Sequence, residues 1–89
     1  MEMKQMIENI VVGNPKVNIR ELINDDSFDN TFFTNERWLP KILKELNLIP
    51  STSWLKKNKP EYFIGLNDID CFYINLGKKK KPIYIVIGE

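Results

Sequence analysis

The chain has 89 residues, of which 43% are hydrophobic and 11% aromatic, and a formal net charge of +1. A chain this short fills one modest core and has too little apolar surface for a second, so residues 1–89 are read as a single domain. Histidine is absent, which excludes Ser-His-Asp and Cys-His nucleophiles and any histidine-bearing zinc site.

Met3, Met6, Ile7, Ile10 and Val11 recur at the three-and-four spacing of one helical face, with Glu2, Lys4, Gln5 and Glu8 opposite. This spacing predicts a first helix from about Glu2 to Val12, stopped by Gly13. Asn14-Pro15 is a turn, and Asn18 with Glu21 has the spacing of a capping box for a short helix from Ile19 to about Asn24. Asp25, Asp26, Ser27, Asp29 and Asn30 form a polar loop. Thr31-Phe32-Phe33 is brief and aromatic, and reads as a short strand.

Thr34 is the expected N-cap of a helix starting near Asn35, with Glu36 in its first turn where the helix dipole favours an anion. Trp38, Leu39, Ile42, Leu43 and Leu46 make its apolar stripe, while Lys41, Lys44 and Glu45 face water. Pro40 conflicts with that start, so either the first turn is separate or the helix is kinked. After an apolar turn at Leu48-Ile49-Pro50, Ser51 opens a second helix with Trp54 and Leu55 inward, and Pro60 ends it. Glu61 to Asp70 is an apolar connector expected to pack down. Cys71 to Leu76 and Pro82 to Ile87 alternate as two strands around Gly77-Lys78-Lys79-Lys80-Lys81, a basic tip. Both faces of this hairpin are largely apolar, so it must pack on at least one, and an open second face would be a dimer or partner surface.

Charge is distributed unevenly. Residues 1–36 carry seven acids and three bases, whereas residues 37–89 carry ten bases and five acids. The basic half also holds the helix pair and the hairpin, which points to a polyanion. Thr52, Ser53, Lys56 and Lys57 on the second helix, with Lys59 beside them, are the residue types that reach base edges and phosphates. Lys78, Lys79, Lys80 and Lys81 suit contacts to a nucleic-acid backbone. The competing reading is that these lysines only solubilise an exposed turn and block edge-to-edge association.

The order of parts, a helix pair over about 35–59 and a hairpin over about 70–88, resembles the winged helix-turn-helix family. The resemblance implies an α+β fold in which N-terminal helices precede a C-terminal β-hairpin wing, and a non-enzymatic regulator that binds double-stranded DNA. Leu39, Ile42, Leu43 and Leu46 followed by Leu48-Ile49-Pro50-Ser51-Thr52-Ser53 also look like the start of the alpha-L RNA-binding motif at the C-terminus of tyrosyl-tRNA synthetases. That likeness implies structured RNA as an alternative ligand. It covers about twenty residues, and its Glu-Ala-Arg-Arg run is replaced here by Trp54-Leu55-Lys56-Lys57-Asn58-Lys59-Pro60. A small protein-binding inhibitor on the same scaffold is a further alternative.

No reaction is indicated. Asp25-Asp26-Asp29 and Asp68-Asp70 read as a solvated loop and a turn into a strand, not as metal sites, and no phosphate-cradling Gly-x-x-x-x-Gly-Lys occurs. No cofactor is expected. The apolar runs are too short to cross a bilayer, no charged-then-apolar leader is present, and the single Cys71 reads as a buried thiol in a reducing compartment. A cytoplasmic location is the resulting expectation.

Overall fold

Ile10-Val11-Val12 organises the N-terminal half. The computed structural model, which describes residues 7–23, 28–77 and 80–89, places Asn9–Val12 in a strand, β1, whose four residues are all buried. The expected helix over Glu2 to Val12 is thereby corrected for residues 9–12, and residues 1–6 lie outside the described residues. The spacing of Ile7, Ile10 and Val11 fits a helical face, but an apolar run this short fits a strand buried on both sides equally well. Three β-branched residues in a row favour the strand.

Helix α1 spans Ile19–Leu22, with the Asn18 side chain accepting from the Arg20 N–H at 3.0 Å. Strand β2 spans Thr31–Thr34. Helix α2 spans Leu39–Glu45 and α3 spans Thr52–Asn58. A single 3-10 turn over Pro60–Tyr62 leads into strands β3 (Asp70–Ile74) and β4 (Ile83–Ile87). The sheet order is β2-β1-β4-β3, with β1 parallel to both β2 and β4, and β3 antiparallel to β4.

This order corrects the winged helix-turn-helix expectation. Two strands precede the helix pair, and the C-terminal hairpin is half of a four-stranded mixed sheet instead of an appended wing. β4 lies between β1 and β3 because Ile83, Ile85, Val86 and Ile87 are buried on both faces, which a two-stranded wing cannot provide. Thr31–Thr34 pairs with β1, in register Asn9↔Thr31 through Val12↔Thr34, and the Asn9 amide donates to the Thr31 hydroxyl at 3.2 Å.

The period-two alternation read in the hairpin holds. Ile83, Ile85 and Ile87 from β4, Ile74 from β3, and Ile10 and Val12 from β1 form one face, packed on Leu39, Ile42, Leu43, Ile49, Leu55 and Leu66. Val11 and Val86 lie on the other face under Ile23, with Ile19, Phe28 and Tyr84 around them. That second cover is incomplete. Phe33 and Tyr73 remain 55% and 67% exposed, and a groove of about 380 Å³ opens between Val17, Leu22, Ile69, Cys71 and Val86. Cys71 is exposed, which corrects the buried thiol expected from its apolar strand. It lies on an edge strand and on the partly open face.

The entry to α2 also differs from expectation. Thr34 is the last residue of β2 and its hydroxyl accepts from the Glu36 N–H at 3.0 Å. Trp38 is the N-cap, so Pro40 falls in the first turn of α2, where no N–H is needed and no kink arises. Arg37 fastens this entry: its guanidinium donates to the Leu66 carbonyl at 2.9 Å and to the Gly88 carbonyl at 3.1 Å.

Candidate nucleic-acid interface

Helix α2 ends in a motif that the sequence signals with one residue. Asn47 has φ 58°, the left-handed region. From there the Leu48 N–H reaches the Leu43 carbonyl at 2.9 Å and the Asn47 N–H reaches the Lys44 carbonyl at 3.0 Å. These two bonds are those of a Schellman stop with asparagine in the usual glycine place, and half-buried Leu48 follows it onto the core. Ile49, 3% exposed, then anchors the turn. Ser51 begins α3 as expected, its hydroxyl accepting from the Trp54 N–H at 3.0 Å.

Leu55 is fully buried and sets the rotation of α3. Thr52, Ser53, Lys56 and Lys57 are exposed in consequence, and Lys59 is half-buried just beyond the helix. The helix contains no acidic residue. Lys56 is not wholly free, since its Nζ lies 5.6 Å from the centroid of the Phe63 ring, a cation–π contact. Asn58 turns back onto its own helix, donating to the Trp54 carbonyl at 2.9 Å.

The basic loop after β3 approaches the same region. Gly77 donates to the Asn75 side chain at 3.1 Å and accepts from the Lys80 N–H at 3.2 Å, which holds residues 77 and 80 together. The Lys80 ammonium then reaches the Leu48 carbonyl, in the turn before α3, at 3.4 Å. Lys80 and Lys81 are exposed, and Lys78 and Lys79 lie outside the described residues. Among the described residues, Lys56, Lys57, Lys59, Lys80 and Lys81 form no ion pair. Two ion pairs between described residues, Lys16–Glu89 at 3.0 Å and Lys41–Glu36 at 3.2 Å, involve other lysines.

Glu36 has a structural task. Its carboxylate accepts the Arg37 and Trp38 N–H groups, each at 3.1 Å. The Trp38 bond, followed by the bond to Lys41, holds its pKa below the ordinary value. Arg37, the single arginine of the basic half, is likewise engaged by the Leu66 and Gly88 carbonyls. Lys44 is a residue the sequence reading placed toward water without assigning it to the site. It is exposed in the last turn of α2, beside the turn that Lys80 touches.

Among the described residues, the arrangement brings the hydroxyls of Thr52 and Ser53 together with the ammonium groups of Lys56 and Lys57 on one exposed helix surface. No helix among the described residues is long and apolar enough to cross a membrane. Comparisons with protein-family models, with curated proteins and with solved structures return no match.

Proposed function

We propose that this chain is a non-catalytic regulator that holds double-stranded DNA against the exposed side of α3 and the basic loop. The observation that carries this reading is the Lys80–Leu48 contact at 3.4 Å, which ties the loop to the turn from which α3 starts. Two lysine clusters far apart in sequence then border one surface, with no acid on the helix between them. Lys57, Lys59, Lys80 and Lys81 serve the phosphates, with Lys44 at the margin. Thr52 and Ser53 are the side chains short enough to sit close to base edges. No arginine, asparagine or glutamine stands exposed in the first turn of α3 to form a bidentate base contact, so discrimination between sequences is small.

Charge reversal tests the reading. Lys57→Glu and Lys81→Glu each weaken binding to all duplex sequences alike and flatten the salt dependence by about one unit of slope for each phosphate no longer held. Fluorescence anisotropy on a random-sequence duplex provides the measurement, with a structured RNA in parallel. Unchanged affinity in both variants would remove α3 and the loop as the binding surface. Tighter binding to the RNA would make structured RNA the ligand.

A further inference from the structure

Strand β3 has β4 on one side and, among the described residues, no strand on the other. The ladder shows which of its backbone groups face outward. Tyr84 and Gly88 donate toward β1, to the Glu8 and Val12 carbonyls at 3.0 and 2.8 Å. Ile83, Ile85 and Ile87 therefore turn to β3 and meet Ile74, Phe72 and Asp70. Cys71 and Tyr73 are left with N–H and C=O groups aimed at the open edge. The Cys71 N–H is held by the Asp70 carboxylate at 2.8 Å, an exposed contact, and the Asn75 N–H donates to the Tyr62 hydroxyl at 2.9 Å. Tyr73 has no such cover, and its ring is 67% exposed.

Sheet edges are usually kept apart by charged side chains, a proline or a bulge, and of these Asp-Cys-Phe-Tyr-Ile carries only Asp70, at its first position. Charge supplies the direction. Asp68 and Asp70 stand exposed at the start of the strand, and exposed Lys80 and Lys81 follow its end. A strand that enters acidic and leaves basic complements its own copy when the two run antiparallel.

We propose that β3 is the interface for a second copy of this chain, the two strands pairing antiparallel about a two-fold axis at Phe72 and joining two four-stranded sheets into one. In this register Cys71 faces the partner's Tyr73 and Tyr73 faces the partner's Cys71, an isologous set of backbone bonds. Only the exposed Asp70–Cys71 contact has to open. Asp68 falls opposite the partner's Leu76, at the root of its basic loop. The Tyr62 hydroxyl on Asn75 marks where the ladder stops. The interface is built on the backbone edge of β3 and borders the basic loop only at its root, so it is tested on the protein alone, without nucleic acid.

Sedimentation of the full chain from about 1 µM to about 1 mM reads the association, and a ladder this short is expected to dissociate in the range of tens of micromolar. Cys71, the chain's single cysteine, reports the register. The two copies of Cys71 are diagonal neighbours about 7–8 Å apart, beyond disulfide reach but within that of a short bis-maleimide. Dimer formation with bis-maleimide cross-linking, and without spontaneous disulfide, is the expected result. Tyr73→Pro removes the outward N–H and leaves the β4 ladder intact, and Asp68→Lys reverses a charge in an exposed loop. Each is expected to weaken the dimer about tenfold or more. Asp68→Lys keeps the test decisive if the proline variant fails to fold. A monomer throughout the concentration range would overturn the proposal, leaving Asp70 as a device that blunts the edge. A dimer indifferent to Asp68→Lys, or one in which Cys71 does not cross-link, would also overturn it.

Discussion

Replacing Gly88 with alanine is expected to loosen the junction where the end of the sheet meets the turn after β1. A Cβ on Gly88 would collide with the Pro15 nitrogen and would lie 2.5 Å from both the Asn14 carbonyl carbon and the Pro15 Cα. All three atoms belong to the main chain, so no side chain can swing aside. Relief requires residues 14–15 and 88 to separate, and two backbone bonds span that gap: Gly88 N–H to Val12 at 2.8 Å and Asn14 N–H to Glu89 at 2.9 Å. Losing both costs about 2 kcal/mol, and residual overlap adds on the order of 1 kcal/mol. The total of about 3 kcal/mol is a large share of the 4–13 kcal/mol, roughly, expected for a domain of this size. Equilibrium urea unfolding followed by the fluorescence of Trp38 and Trp54 measures it. Gly77→Ala is the control, because among the described residues its Cβ would meet only the Lys80 side chain at an ordinary 3.8 Å, and it should stay within about 0.5 kcal/mol of the parent. A Gly88→Ala protein within about 1 kcal/mol of the parent would refute the steric argument.

Ser51→Ala removes the hydroxyl that accepts from Trp54 and should lower stability by about 1 kcal/mol in the same urea assay, while Ser51→Asp should retain most of it. The Tyr84 hydroxyl is pushed up from 10.0 to about 12, first by its hydrogen bond with Cys71, then by burial and by charge on Cys71 and Tyr73. A raised folded pKa means that the native state keeps a proton the unfolded chain has lost. Stability from this group is therefore complete below pH 10 and falls as pH rises toward 12. Ultraviolet titration of the parent against Tyr84→Phe isolates this group, and Cys71→Ala should move its midpoint back toward 10; an unmoved midpoint would remove Cys71 as the cause.

Much of the C-terminal half is legible in the sequence because its signals are local. Ser51 after an apolar turn, Pro60 after the lysines, and the alternation of Ile83, Ile85 and Ile87 each report on the nearest few residues, and the structure follows them. The N-terminal half is not legible in this way. Whether Ile10-Val11-Val12 forms a helix or a strand depends on β4, more than seventy residues later, arriving to bury its second side. Without that partner, a spacing of three and four favours the helix. Cys71 shows the converse error. An apolar neighbourhood along the chain is taken for burial, but a position on the edge strand leaves the thiol exposed. Asn47 could have been found, since asparagine after a helix and before leucine carries the left-handed stop. The candidate interface was legible in its residue types. The Lys80–Leu48 contact that joins its two parts was not, because it spans thirty-two positions.

The most direct test of the nucleic-acid reading is the dissociation constant for a random-sequence DNA duplex, measured across a range of salt concentrations. Four to five lysine–phosphate contacts predict a slope of log affinity against log salt of about −4, with micromolar binding near physiological ionic strength. Affinity that is absent at low salt, or present but indifferent to salt, would contradict the account and identify the basic half as ordinary solvated surface.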